Sequence, residues 1–249
     1  MREKLILVTG GGRGIGAACA LLAAERGYTV CINYKSDEGA AAAVVGAIES
    51  AGGAAMAIRA DVSNEADVLR LFAQIDARFG RLTALINNAG VLAPQMRLDQ
   101  MDAARINGIL ATNVTGSFLC AREAVRRMST KHGGSGGAIV NISSRAAVLG
   151  SPGEYVDYAA SKAAVDALTI GLSKEVAAEG IRVNGVRPGL IHTEMHASGG
   201  EPDRVSRLQA SVPMGRGGEA AEVARAALWL LSDEASYSSG TFIDVSGGR

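Results

Sequence analysis

Tyr158 and Lys162, separated by Ala159, Ala160 and Ser161, put a phenol and an ammonium one helical turn apart. On a helix, positions i and i+4 share a face, so both side chains can serve one reactive centre. A free phenol titrates near ~10 and is a poor proton carrier at neutral pH. A neighbouring cation favours the phenolate and lowers that value, and Lys162 is placed to be the cation. A hydroxyl from the preceding Ser143-Ser144 pair would complete a set able to polarise a carbonyl, protonate it, or run the reverse reaction on an alcohol. Taken alone, Tyr-x-x-x-Lys also occurs in many helices as a half-buried ring beside a solvated amine, so the elements that carry it must decide.

Apolar runs rich in β-branched residues lie at 5–9, 29–34, 54–60, 83–87, 138–143, 181–187 and 242–245. Alanine-rich stretches of helical period separate them at 14–26, 38–51, 65–79, 104–128, 158–179 and 220–231. Short apolar strands alternating with helices predict a doubly wound α/β fold of Rossmann type, a mostly parallel seven-stranded sheet with helices on both faces. No Pro/Ser-rich linker, charge block or short repeat interrupts the pattern, so residues 1–249 read as one domain. The glycine-rich run 131–137 reads as a surface connection. The segment 188–218 is longer than an ordinary connection and follows the sixth strand at its carboxyl end, which makes 189–218 a candidate substrate lid.

Composition excludes several classes. Lys+Arg and Asp+Glu are balanced at 25 each, so no global field attracts nucleic acid or an anionic membrane. The start, Met1-Arg2-Glu3-Lys4 leading directly into 5–9, is too short for a secretory hydrophobic region, and no run approaches the ~20 apolar residues of a membrane span. Cys19, Cys31 and Cys120 are widely spaced among apolar neighbours and read as buried thiols in a reducing compartment. A cytoplasmic location is therefore expected. His192, Glu194 and His196 lack the spacing of a zinc motif and a further ligand, so they read as polar residues on a mobile segment and no metal is expected.

Thr9-Gly10-Gly11-Gly12-Arg13-Gly14-Ile15-Gly16 falls between the first strand and the first helix, where an open α/β sheet binds a dinucleotide pyrophosphate. Glycines let backbone N–H groups approach phosphates, and Gly12, Gly14 and Ala17 also fit the generic G-x-G-x-x-A spacing.

The ordered set Thr9-Gly10-x-x-x-Gly14-x-Gly16, Asn87-Asn88-Ala89-Gly90, Asn113 in Thr112-Asn113-Val114, Ser144, Tyr158-x-x-x-Lys162, Pro188-Gly189 through Thr193, and Asp244-Val245-Ser246-Gly247-Gly248 resembles the short-chain dehydrogenase/reductase family over nearly the whole chain. Within it, the chain is most similar to the branch of glucose 1-dehydrogenase-like enzymes and 3-oxoacyl thioester reductases. The resemblance implies that Gly10, Gly14 and Gly16 hold the pyrophosphate, with Gly12, Arg13 and Ile15 in the same cofactor loop. It implies that Asp61 and Val62 flank the adenine and that Asn87, Ala89 and Gly90 line the ribose wall, although Asn88 and Ala89 can equally serve only to shape the turn. Pro188 and Gly189 would lead to Ile191 and Thr193 at the nicotinamide carboxamide. Tyr158 would be the general acid in reduction and the general base in oxidation. Lys162 would lower the phenol pKa and bind the nicotinamide ribose, Ser144 would donate to the substrate oxygen, and Asn113 would help hold a water linking Lys162 to solvent. A mid-helix asparagine also commonly satisfies a buried backbone group at a bend. The family pattern selects Ser144 over Ser143, although the interval to Tyr158 is one residue longer than its commonest length. Tyr155 is followed four residues later by Ala159, which cannot activate a phenol, so it reads as pocket wall or packing.

Cofactor choice is read where an acidic side chain would accept the ribose hydroxyls of NAD. Here Tyr34, Lys35 and Ser36 stand at that position, and Arg13 can reach it from the glycine loop. A lysine and a hydroxyl would hold a 2′-phosphate, so NADP is expected over NAD. Both cations can instead be solvated surface charges, and Asp37 can still approach a ribose. The substrate is expected to be a small carbonyl or alcohol bordered by 91–96, 145–148, 153–155 and 190–198, with no code for one compound. Glu179, in Ala177-Ala178-Glu179-Gly180, puts an acid where a carrier-protein reductase would be expected to present basic residues. A non-catalytic NADP-binding sensor is the alternative of another class, and such a protein would be expected to have lost Tyr158, Lys162 or Ser144. The resemblance further implies a homotetramer with 222 symmetry, the helices at 104–128 and 158–179 meeting across one two-fold axis and strand 242–245 across another. Small or apolar residues at Ala163, Ala164, Ala167, Leu168 and Leu172 cover more than one face of their helix, as an interface or a broad intrachain contact would require.

Overall fold

Aliphatic, β-branched runs form strands here, and the central ones are covered on both faces. A computed structural model describes residues 4–249, so Met1, Arg2 and Glu3 of the N-terminal reading lie outside the described residues. The strands are β1 (Leu5–Val8), β2 (Thr29–Tyr34), β3 (Ala55–Arg59), β4 (Ala84–Asn87), β5 (Gly137–Ile142), β6 (Ile181–Pro188), the short pair β7 (Ile191–His192) and β8 (Gly218–Glu219), and β9 (Phe242–Val245). The helices are α1 (Gly14–Glu25), α2 (Glu38–Ser50), α3 (Glu65–Phe79), α4 (Ala103–Leu110), α5 (Gly116–Met128), α6 (Ala146–Leu149), α7 (Val156–Val176), α8 (Met195–Ser198), α9 (Arg204–Leu208) and α10 (Ala220–Leu231).

Seven strands form one parallel sheet in the order β3-β2-β1-β4-β5-β6-β9. Strand alternation divides the core into two layers. Ile6 and Val8 face the α1 and α10 side with Ile32, Val140, Val223 and Leu228. Leu5 and Leu7 face the α3 and α5 side with Leu71, Phe72, Leu85 and Ile139. Sequence order reverses between the neighbours β1 and β4, so their carboxyl ends open a crevice at the switch point. Local signals fix the helix starts: Asn64 caps α3 by accepting from the Asp67 N–H, and Glu219 with Glu222 forms a capping box on α10.

The strand positions agree with the periodicity to within one or two residues at their ends. Three differences matter for the site. The helix expected over 104–128 is divided into α4 and α5 by a π-helical turn, Ala111–Thr115, where the Asn113 side chain bonds to Val91 and a Cβ on Gly116 would press on Val62 at 2.8 Å. The helix expected over 158–179 begins at Val156 and ends at Val176, followed by a 3-10 turn over Ala177–Glu179. The segment 189–218 contains α8 and α9, and β7 pairs in parallel with β8 at its far end.

Candidate active site

The turn from β1 into α1 is built to receive an anion. Gly10 and Gly14 adopt φ of 62° and 53°, a region open to glycine at little cost. Gly16 lies so close to the Gly10 carbonyl oxygen that a Cβ would fall on it. Arg13 occupies the N-cap without offering a side-chain acceptor, so the first-turn N–H groups of α1 stand free where the helix dipole is positive. These features fit a dinucleotide pyrophosphate. Asn88 locks the turn from β4, its amide donating to the carbonyls of Thr9 (2.9 Å) and Gly10 (3.2 Å). Asn33, which sequence reasoning did not single out, supports it from β2 by accepting from Gly10 N at 3.3 Å and donating to Ala60 O at 2.8 Å.

A cavity of about 310 Å³ runs over this loop and gathers Gly10, Gly12, Arg13, Gly14, Ile15, Tyr34, Lys35, Ser36, Asp61, Val62, Ala89, Gly90 and Thr193. Arg13 is exposed, whereas Lys35 is paired with Asp61 at 2.7 Å. Asp37 also borders the cavity, with its carboxylate accepting from Ala40 N at 2.9 Å as the cap of α2. Asn87 lies beneath the site instead, donating to Ser117 O at 2.8 Å and to Asn141 Oδ1 at 3.2 Å.

A second cavity of about 460 Å³ adjoins the first and gathers Ser144, Tyr158, Lys162, Pro188, Gly189, Ile191 and Thr193. Ile15, Asn88, Leu92, Thr193 and Met195 border both. Tyr158 and Lys162 share one face of α7, with the Lys162 Nζ 5.7 Å from the phenol ring centroid. Nζ is buried and donates to the Ile142 carbonyl at 2.8 Å. The two serines follow the end of β5, and their roles separate: Ser143 Oγ donates to the Lys162 carbonyl at 3.2 Å, while Ser144 lies beside the Tyr158 hydroxyl.

Burial pushes the Tyr158 phenol up, and the hydrogen bond to Ser144 offsets that only in part. The expected lowering by Lys162 is absent from this arrangement, because the ammonium is held against the Ile142 carbonyl and faces the ring. Burial likewise pulls Lys162 down to about 8, with the Asp166 carboxylate opposing the fall.

Asn113 borders neither cavity. Its Oδ1 accepts from Val91 N at 2.7 Å and its Nδ2 donates to Val91 O and Ser161 Oγ, both at 3.0 Å. It thereby ties the π turn to the loop after β4 and to α7. A Cβ on Gly90 would meet both Asn113 Oδ1 and Lys162 Nζ at 3.4 Å, so this loop, the π turn and the lysine come together at one point.

Other walls come from contacts distant in sequence. Tyr155 is 2% exposed and stacks under the Arg204 guanidinium at 4.8 Å. Arg204 bonds Glu154 at 2.5 Å and Glu201 at 3.3 Å, fastening α9 to the loop before α7. Arg105 on α4 bonds Asp157 in the first turn of α7 at 2.8 Å. Arg204, Arg105 and Asp157 carry no motif signal. Glu179, in the 3-10 turn after α7, is engaged by Ser129 at 2.5 Å and Lys131 at 2.7 Å. Cys19, Cys31 and Cys120 are buried, and burial pushes each thiol up to about 12. Among the described residues no three of His, Cys, Asp and Glu gather as metal ligands, and no helix is long and apolar enough to cross a membrane.

A doubly wound sheet with a glycine loop at its switch point defines a dinucleotide-binding α/β fold, and comparison with known proteins gives the family. Residues 10–249 match the family model described as enoyl-(acyl carrier protein) reductase. The chain is 61% identical over 245 residues to an uncharacterized oxidoreductase, YgfF, of Escherichia coli strain K12, covering 98% of this chain and 99% of that one. It is 39% identical over 249 residues to 3beta-hydroxysteroid dehydrogenase 1 of Eggerthella lenta, covering 100% and 94%. A short chain dehydrogenase from Burkholderia cenocepacia J2315 in complex with NADP superposes with a TM-score of 0.90 at 33% identity, covering 98% and 97%. The chain belongs to the short-chain dehydrogenase/reductase family and is an oxidoreductase.

Proposed function

We propose that the protein is an NADP-dependent oxidoreductase that interconverts a small-molecule carbonyl and its alcohol. The observation that carries this reading is the meeting of Ser144, Tyr158 and Lys162 at one cavity directly beside the glycine-loop cavity. When bound, the nicotinamide cofactor supplies or accepts the hydride. The chain supplies the rest. The free N–H groups of α1 hold the pyrophosphate, and Asp61, Val62, Ala89 and Gly90 shape the nucleoside walls, with Asn87 bracing them from beneath. Pro188, Gly189, Ile191 and Thr193 border the nicotinamide end. Tyr158, kept protonated at neutral pH by burial, gives its proton to the carbonyl oxygen in reduction and takes it back in oxidation. Ser144 donates to the same oxygen. Lys162 stabilises the phenolate left behind and bonds the ribose, and Asn113 fixes the loop at Gly90 against it.

NADP is favoured by Arg13, Lys35 and Ser36 around one end of the first cavity. The Lys35 side chain is 65% exposed, and an exposed ion pair with Asp61 is weak enough for the lysine to turn to a 2′-phosphate. Replacing Tyr34 with Asp and Lys35 with Ala is expected to move selectivity toward NAD; unchanged discrimination would show that the phosphate site is misplaced. Leu92, Leu149, Tyr155, Leu190, Met195 and Leu208 give the second cavity an apolar lining, which favours a substrate with an apolar body over a sugar. A panel of ketones, 3-oxoacyl thioesters, steroid ketones and aldoses followed by NADPH absorbance tests this, and turnover confined to aldoses would refute it. Absence of turnover across the panel, with cofactor bound, would favour a non-catalytic sensor.

The segment 189–218 acts as the substrate lid, and the protein works in the cytoplasm without nucleic acid, membrane or metal. It assembles as a homotetramer. Ala163, Ala167, Ile170 and Gly171 on α7 are exposed, as is Phe118 on α5, and β9 lies at a sheet edge; such faces suit burial against further copies. Light scattering is expected to give four times 25.5 kDa, and a stable, fully active monomer would refute the assembly.

A further inference from the structure

Lys162 is a buried cation whose surroundings hold one facing charge. From β5 it meets the Ile142 carbonyl and the uncharged Ser143; from the π turn and the loop after β4 it meets Asn113 and Gly90. Arg105 on α4 is paired with Asp157 and Arg145, before α6, with Asp244. On α7 itself, Tyr158 precedes Lys162 by four residues and Asp166 follows by four. Successive steps of four rotate by about 40° about a helix, so the three side chains form one stripe. Asp166 is 8% exposed, with Oδ2 accepting from Arg187 Nε at 2.9 Å and Oδ1 buried without a hydrogen-bond partner. Arg187, on β6, stacks on Phe242 at 3.9 Å and reaches Asp244 on β9 at 3.9 Å.

A carboxylate at 8% exposure needs a compensating charge, and a lysine at 3% exposure needs another. The pattern along the row is ammonium, carboxylate, guanidinium, carboxylate. We infer that Asp166 is a positioning residue that keeps Lys162 charged at the site, with Arg187 setting how much of that carboxylate's field the lysine feels. The direction of the Asp166 influence on the lysine, upward against burial, agrees with this geometry. The inference rests on the proposed reading of the site, in which a charged Lys162 is needed beside Tyr158, and it adds two residues that no motif of the family reading contained.

Direct titration of Lys162 tests it without cofactor or substrate. The chain has five lysines, Lys4, Lys35, Lys131, Lys162 and Lys174, so the full-length protein labelled with carbon-13 at lysine Cε gives a simple spectrum, and loss of one signal in Lys162→Met assigns it. Asp166→Asn is expected to lower the Lys162 midpoint by about one pH unit. Arg187→Met, which removes the competing cation, is expected to raise it. Opposite signs separate an electrostatic role from a structural one, since loosened packing would admit water and move both variants the same way. Midpoints that stay with wild type, or shift together, overturn the inference. Should Asp166→Asn fail to accumulate, the upward shift in Arg187→Met is the deciding result, and its absence overturns the inference equally. Turnover against pH is the second arm. Midpoints that move as stated with turnover unaffected would uphold the counter-charge and instead refute the role given to Lys162 in the reaction.

Discussion

Replacing Lys162 with Met should make the protein more stable at neutral pH while removing its activity. The ammonium falls from its ordinary 10.5 to about 8 on folding, with burial the larger cause. At about 1.4 kcal/mol per pH unit, holding it charged below pH 8 costs about 3 kcal/mol of folding free energy. Met fills much the same volume with no charge to desolvate, but leaves the Ile142 carbonyl without its 2.8 Å donor, a loss of about 1 kcal/mol. The net gain near pH 7 is about 2 kcal/mol. Because the folded-state value is depressed, the unfolded chain binds more protons between about pH 8 and 10.5, so wild type recovers stability relative to the variant as pH rises through that window. The difference between the two proteins should fall by about 2.5 kcal/mol between pH 7 and pH 10. Urea unfolding followed by Trp229 fluorescence at fixed protein concentration measures it. A variant less stable than wild type at pH 7, with a difference that does not change toward pH 10, would refute the reasoning.

Tyr158→Phe keeps the ring beneath Lys162 and removes the transferable proton, so turnover should drop by about 10²–10⁴-fold with cofactor affinity nearly unchanged; wild-type rates would rule out the phenol as acid. Gly16→Ala would drive a methyl into the Gly10 carbonyl, an overpacking that should cost about 1–3 kcal/mol and weaken cofactor binding, both read from melts with and without NADPH; an unchanged melt would show that the α1 start can shift. Arg204→Met breaks the ties to Glu154 and Glu201, so limited proteolysis should cut faster within 199–208 and KM should rise more than kcat falls; unaltered cleavage would show that the lid is held elsewhere.

The alternation of strands and helices was legible because the central strands are covered on both faces and read as nearly continuous aliphatic runs, as Leu5–Val8 does. The glycine loop and Tyr158-x-x-x-Lys162 were legible because their geometry is local. The π turn at Ala111–Thr115 was not, since nothing in Thr112-Asn113-Val114 signals that Asn113 will bond Val91, 22 residues away. Nor was the state of the phenol: spacing placed a cation one turn away, but only the fold aims that cation at the Ile142 carbonyl. Arg105 with Asp157, Arg187 with Asp166 and Arg204 with Glu154 join residues 52, 21 and 50 positions apart. Side-chain pairing over such intervals has no period to read.

These unread pairs explain where the polar strain of the molecule lies. Among the described residues, the buried side-chain atoms lacking a hydrogen bond are Arg105 Nη2, Tyr155 Oη, Asp166 Oδ1 and His196 Nδ1. Tyr155 and His196 border the second cavity, Asp166 stands a turn beyond Lys162, and Arg105 grips the first turn of the helix that carries Tyr158. The far end of the sheet has no such atom. Buried polar groups left short of partners are destabilising wherever they occur, so packing in the rest of the fold must outweigh them. A site that holds a buried ammonium and a buried phenol side by side cannot also satisfy every neighbour. The residues that break the local rules are therefore those that surround the proposed chemistry.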